Sequence, residues 1–84
     1  MGTATITLYS KPGCHLCDDM KATVAPIAGE LGYTITEIDI SADVDLEARF
    51  GTEIPVLFVN GRKAFKYRVT ESELRRRLTH ERQG

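Results

Sequence analysis

The hydrophobic period of this chain changes at Pro12-Gly13, and that change restricts the folds open to it. Before the break, Ala4, Ile6 and Leu8 alternate with Thr3, Thr5 and Thr7, so residues 3–10 read as a strand with one apolar face. After it, Cys17, Met20, Val24, Ile27, Ala28 and Leu31 recur at helical spacing. A helix is expected from Cys14 to about Leu31, with Gly32 as its stop. Pro26 removes a backbone donor and crowds the preceding turn, so a kink is expected there. The apolar stripe stays in phase beyond Pro26, which argues for one helix and not two.

Thr34 to Ile40 reads as a second strand, although its alternation slips between Ile35 and Ile38. A strand, a helix and a second strand imply a right-handed crossover between parallel strands. A short helix is expected over Asp43–Phe50, with Leu46 and Phe50 one turn apart and Gly51 as terminator. Val56-Leu57-Phe58-Val59 is apolar on both faces, as in a strand buried between layers. Asn60-Gly61 is a strong hairpin signal leading into Arg62–Tyr67. Thr70-Glu71-Ser72-Glu73 is a capping box for a last helix, with Val69 able to staple onto Leu74. Leu74 and Leu78 would dock that helix. The order β-α-β-α-β-β-α makes an α/β domain: a four-stranded mixed sheet with helices on both faces, spanning residues 1–84 as a single domain. That is the plan of the thioredoxin fold, in which a Cys-x-x-Cys lies between the first strand and the first helix.

A formal net charge of −1 argues against an electrostatic nucleic-acid binder, which would carry a basic face. The run Arg75-Arg76-Arg77 fans over a solvated helix face at helical spacing. No stretch approaches the length of a membrane span, and the first residues lack both the positive start and the apolar run of a signal peptide. The expected setting is the reducing cytoplasm, and the expected state a monomer. In that compartment two closely spaced cysteines point to redox or metal chemistry before a structural staple.

Cys14 and Cys17 open the first helix. A helix start leaves unpaired N–H groups and a partial positive charge, so it favours a thiolate at Cys14 that accepts from donors such as the Cys17 N–H. A free thiol, pKa about 8.5, is only about 3% ionised at pH 7. A helix terminus contributes about 0.3–2 kcal/mol, enough at the upper end to ionise about half of it. Lys11 pushes in the same direction, and Asp18 and Asp19 push against it. At about 100° per residue, Cys17 lies about 40° from the centre of the apolar stripe and Cys14 about 100° away. The outer sulfur is the expected nucleophile and the inner one the resolving thiol. Residues three apart on a helix have Cβ atoms about 5–6 Å apart, within reach of a disulfide.

Three other readings stay open. A metal or iron–sulfur module would use the same cysteines, with only His15 and His80 as further nitrogen donors. A structural bridge would restrain little, because its loop is short. An adaptor would keep the fold and bind partners without turnover. His15 is either plain surface or a cation that stabilises the neighbouring thiolate. Tyr9 reads as a strand-end packing residue, and Asp18 and Asp19 as ordinary acids near a helix start.

With the motif placed, the chain resembles glutaredoxins, and more closely the small bacterial glutaredoxin-like proteins of the thioredoxin superfamily. The resemblance rests on "YSKPGCHLC" after the first strand and "TEIPVLFVNG" before the hairpin. It implies a thiol–disulfide oxidoreductase with Cys14 and Cys17 as the redox pair. It implies a cis Ile54-Pro55 bond facing the cysteines, with Ile54 pairing its backbone to an extended substrate. Lys11, His15 and Leu16 complete the implied substrate-binding set. No metal and no bound cofactor are implied. The partners would be a disulfide-containing protein or small-thiol substrate and a separate reductant, for which glutathione is one candidate. The chain departs from glutathione-using members at Leu16, where a tyrosine is usual, and at Glu53, where a threonine is usual. It also departs at "KYRVTES", where those members have Gly-Gly and an acidic residue.

Overall fold

The computed structural model describes residues 4–83, so Thr3, the expected first residue of the opening strand, lies outside the described residues. The strand β1 spans Thr5–Ser10, and the helix α1 spans His15–Leu31. The strand β2 covers Thr34–Asp39, a 3-10 turn covers Ile40–Ala42, and the helix α2 covers Val44–Phe50. The strands β3 (Val56–Val59) and β4 (Arg62–Lys66) form the hairpin, and the helix α3 spans Glu71–Gln83. The sheet order is β2-β1-β3-β4, with β1 parallel to β2 and antiparallel to β3, and β3 antiparallel to β4. This is the mixed four-stranded sheet expected.

Each buried strand serves two layers because its side chains alternate. Ile6, Leu8, Leu57 and Val59 pack under α1 and α3, against Met20, Val24, Ile27, Leu74 and Leu78. Tyr9, Val56 and Phe58 face the opposite side, where they meet Ile40, Leu46 and Phe50. Tyr9 is a packing residue there: its ring stacks on Phe50 with centroids 4.7 Å apart and meets Phe58 edge-on at 5.3 Å. Fully burying one aliphatic side chain of this size contributes about 1.5–3 kcal/mol.

The irregular alternation of β2 has a geometric explanation. Ile35 lies beside Ile6 and Ile38 beside Tyr9, so the two isoleucines belong to opposite faces of an unbroken ladder. The strand ends one residue earlier than expected. Ile40 is fully buried as the first residue of the 3-10 turn, which Asp39 caps by accepting from the Ser41 N–H at 2.8 Å.

The helix α1 runs through Pro26 as one element and stops at Gly32, as expected, where the backbone takes a left-handed φ of 79°. Gly51 behaves differently. It is the C-cap of α2 but keeps right-handed angles (φ −54°, ψ −32°), so that helix ends without a left-handed residue. Asn60 and Gly61 both have positive φ, 51° and 84°, as the two-residue hairpin requires. The last helix begins with the full capping box, and it is tied down near its middle where the Tyr33 hydroxyl donates to the Leu78 carbonyl at 2.9 Å. Among the described residues no helix is long and apolar enough to cross a membrane.

Candidate functional site

The turn that carries the cysteines follows from its residue types. Pro12 fixes its own φ, Gly13 accepts a φ of 81°, and the Cys14 N–H donates to the Lys11 carbonyl at 3.3 Å. Pro and then Gly at the two central positions is the signature of a type II turn. It delivers Cys14 in an extended conformation (φ −92°, ψ 108°) as the N-cap of α1. The Cys17 N–H donates to Cys14 Sγ at 3.1 Å, the bond expected of a sulfur in the capping position.

The sulfurs of Cys14 and Cys17 are in disulfide contact, with their Cα atoms 5.2 Å apart. Their surroundings differ. Cys14 is half-buried, whereas Cys17 is 2% exposed. Beside Cys17 a recess of about 310 Å³ opens between α1 and β2, lined by Ser10, Lys11, Asp18, Glu37 and Asp39. Ser10, a buried polar residue, donates its hydroxyl to Glu37 Oε2 at 2.8 Å, and Lys21 Nζ donates to Glu37 Oε1 at 2.8 Å. The Lys21 hydrogen bond, followed by that from Ser10, holds the Glu37 carboxyl below the usual carboxylate range. The same pairing raises Lys21.

The other expected site residues are distributed around this turn. Lys11 is exposed and points to α2, with Nζ 3.8 Å from Glu47 Oε1. His15 is exposed at the first position of α1, and among the described residues its side chain makes no hydrogen bond or ion pair. Leu16 is half-buried and lines a second groove, of about 230 Å³, with Met20, Tyr67 and Arg68. The Ile54-Pro55 bond is cis. Val56 pairs with Tyr9 in antiparallel register, so this dipeptide enters β3 at the sheet end from which the cysteine turn leaves β1. Pro55 is buried, and Ile54 is half-buried against the aromatic cluster. No group of three or more His, Cys, Asp or Glu residues able to hold a metal ion comes together among the described residues.

Two features escape a reading of the sequence alone. The Ser10–Glu37–Lys21 network depends on the β1–β2 register, and nothing local announces it. The Tyr67 hydroxyl donates to the Thr52 carbonyl at 3.0 Å and so holds the loop before β3, a contact that depends on where β4 ends. A bulky residue in place of glycines was the only local sign of that hold.

The family model for the glutaredoxin-like domain (DUF836) matches residues 5–79, which takes in every element from β1 into α3. The chain belongs to this family. Among glutaredoxin-like relatives, a protein of Dictyostelium discoideum described as glutaredoxin-like is 31% identical over 75 residues, covering 82% of this chain and 69% of its own. A crystal structure of a Xanthomonas protein, from X. campestris, superposes with a TM-score of 0.70 at 32% identity, covering 89% of this chain and 96% of that one. Chloroplastic thioredoxin z superposes with a TM-score of 0.79 at 13% identity, covering 98% of this chain and 80% of its own, and so shares the fold. This glutaredoxin-like chain thus has a thioredoxin fold with its cysteine pair in disulfide contact, an arrangement capable of redox chemistry.

Proposed function

We propose that the protein is a dithiol–disulfide oxidoreductase in which Cys14 is the nucleophile and Cys17 the resolving thiol. The observation that carries this reading is the unequal placement of the two sulfurs: one half-buried over helix-end amides, the other 2% exposed beneath it. The Cys14 thiolate attacks one sulfur of a substrate disulfide. The substrate S–S bond breaks, a mixed disulfide forms, and the departing thiolate takes up a proton. Cys17 then loses its proton and attacks Cys14 Sγ, which expels the second substrate thiolate and leaves the internal bridge. The substrate gains two electrons and two protons, and the protein dithiol loses them.

A separate thiol reductant resets the bridge, and glutathione is one candidate. The substrate is a polypeptide or small-molecule disulfide, met by a monomer in the cytoplasm. Lys11, His15, Leu16, Ile54 and Pro55 are the residues that would receive it. The test is a pair of variants assayed on a disulfide substrate. Cys14→Ser abolishes reduction, and Cys17→Ser accumulates a mixed disulfide visible by mass spectrometry. Equal and modest losses in both variants would contradict the assigned roles. Redox titration with alkylation should place the pair between about −270 and −180 mV.

A further inference from the structure

The residue after β4 is held in a conformation that tyrosine rarely takes. Tyr67 has a φ of 70°, in the left-handed region that a Cβ atom disfavours. Across it the Arg68 N–H donates to the Lys66 carbonyl at 2.8 Å, closing a three-residue γ-turn of positive φ, the rarer and more strained kind. The other described residues of positive φ are Asn60 and three glycines, all suited to such angles. Strain of this sort persists only where the surroundings over-determine it.

Here the surroundings are identifiable. The Tyr67 N–H donates to the Pro55 carbonyl at 2.8 Å, and its phenol hydroxyl donates to the Thr52 carbonyl at 3.0 Å. One residue therefore grips both ends of the Thr52-Glu53-Ile54-Pro55 loop. Between the grips, Lys63 Nζ on β4 binds Glu53 Oε1 at 2.7 Å, and the Glu53 N–H turns back to the Phe50 carbonyl at 2.8 Å. Ile54, in the middle of this fixed loop, commits neither its N–H nor its carbonyl to a hydrogen bond among the described residues. A glycine or asparagine would make the turn at position 67 without strain. What tyrosine adds is the phenolic anchor.

We propose that Tyr67 is a positioning residue for substrate, holding the Thr52–Pro55 loop as a rigid edge along which a disulfide-bearing polypeptide lies extended as it meets Cys14. The inference rests on the redox reading above and narrows it to a substrate class. Free backbone groups at Ile54 favour a ligand with peptide groups of its own to pair with them, which hydroxyethyl disulfide lacks. Fixing the loop beforehand removes the ordering cost that a mobile edge would impose on binding.

The test compares wild type with Tyr67→Phe, which keeps the ring and loses the hydroxyl. The substrates are a disulfide-bearing polypeptide and hydroxyethyl disulfide, and amide hydrogen exchange is followed in the same proteins. Loss of one hydrogen bond of this kind predicts a polypeptide KM raised about fivefold at nearly constant kcat. The KM for hydroxyethyl disulfide should move less than about twofold, the Cys14–Cys17 potential should hold, and exchange at Glu53 should accelerate. Tyr67→Gly, which makes the turn without an anchor, should reproduce the KM effect. An unchanged polypeptide KM would overturn the proposal, as would unaltered exchange at Glu53. So would a parallel rise in both KM values or a shifted potential, since Tyr67 would then act through the fold or the cysteines. Wild-type protein that reduces neither disulfide would remove the redox reading itself, and the exchange data would still show whether Tyr67 holds the loop.

Discussion

Two helices of this molecule begin in the same way and for different ends. At the start of α1, Cys14 Sγ accepts from the N–H three residues on at 3.1 Å. At the start of α3, Thr70 Oγ1 accepts from the Glu73 N–H, also at 3.1 Å, and Glu73 Oε1 in turn accepts from the Thr70 N–H at 3.0 Å. The second arrangement satisfies two orphan amides reciprocally with strong oxygen acceptors. The first relies on a sulfur, a weak acceptor when neutral, and has no return bond from Cys17. The oxygen cap is built for helix stability. The sulfur cap gains its full strength only when the thiol ionises, so the amides that would otherwise stabilise a helix are turned toward ionisation of the thiol.

That contrast is broken most decisively by Cys14→Ser. Serine places a better acceptor at the same atom position, so the capping bond survives while the nucleophile is gone. Turnover on a disulfide substrate is expected to fall below detection. Urea denaturation under a dithiol reductant is expected to find the variant within about 0.5 kcal/mol of reduced wild type, or above it. A loss of about 2 kcal/mol or more would mean that the sulfur is a structural element, and the two helix starts would no longer differ in kind.

Thr70→Ala is the converse change. Removing the oxygen cap is expected to cost about 1 kcal/mol of unfolding free energy, within the usual range of about 0.5–2. The thiol chemistry at the start of α1 should stay within about twofold of wild type, because Cys14 and Thr70 share no hydrogen-bond partner. Matched denaturation and turnover measurements check both halves.

The difference between the two caps also explains what a reader of the chain can see. The Thr70–Glu73 box, the Asn60-Gly61 turn and the Gly32 stop are each complete within a few residues, so residue type and spacing determine them. The Cys14 cap is legible for the same reason: Pro12, Gly13 and the three-residue spacing to Cys17 contain all of it. What stays hidden is settled by register between distant strands. Ser10 reaches Glu37 only because β1 and β2 align in parallel with Leu8 beside Glu37 and Ser10 beside Asp39. Tyr67 reaches Thr52 only because β4 returns alongside β3. The shortening of β2 at Ile40 is a tertiary effect as well, since the side chain is drawn into the aromatic cluster against Phe50 and Val56. Gly51 invited a left-handed stop, and its backbone keeps helical angles instead.

The smallest expected effect concerns pH, and it sets the carboxylate cap against the thiolate cap on one axis. The backbone hydrogen bond from Thr70, followed by that from its hydroxyl, holds the Glu73 carboxyl below its ordinary value of 4.5. A depressed carboxyl contributes stability above the unfolded-state pKa, and that contribution is lost as pH falls through the lower folded-state value. Glutamine at this position can still accept from Thr70 but carries no charge to interact with the helix terminus. Glu73→Gln is therefore expected to be slightly less stable than wild type at pH 7, with the two stability curves converging as pH falls below about 4.5. At α1 the corresponding group is a thiol, whose unperturbed pKa of about 8.5 lies several pH units above that of a carboxyl. Alkylation of reduced protein should show Cys14 reacting with a midpoint below about 8.5, and Cys17 protected. Both caps, once ionised, are anions facing helix-end amides, so the order of these two midpoints follows from the intrinsic acidity of carboxyl and thiol. Curves for Glu73→Gln and wild type that stay parallel through the acid range would show that the box acts without its charge, leaving Cys14 as the one of these two caps that depends on ionisation.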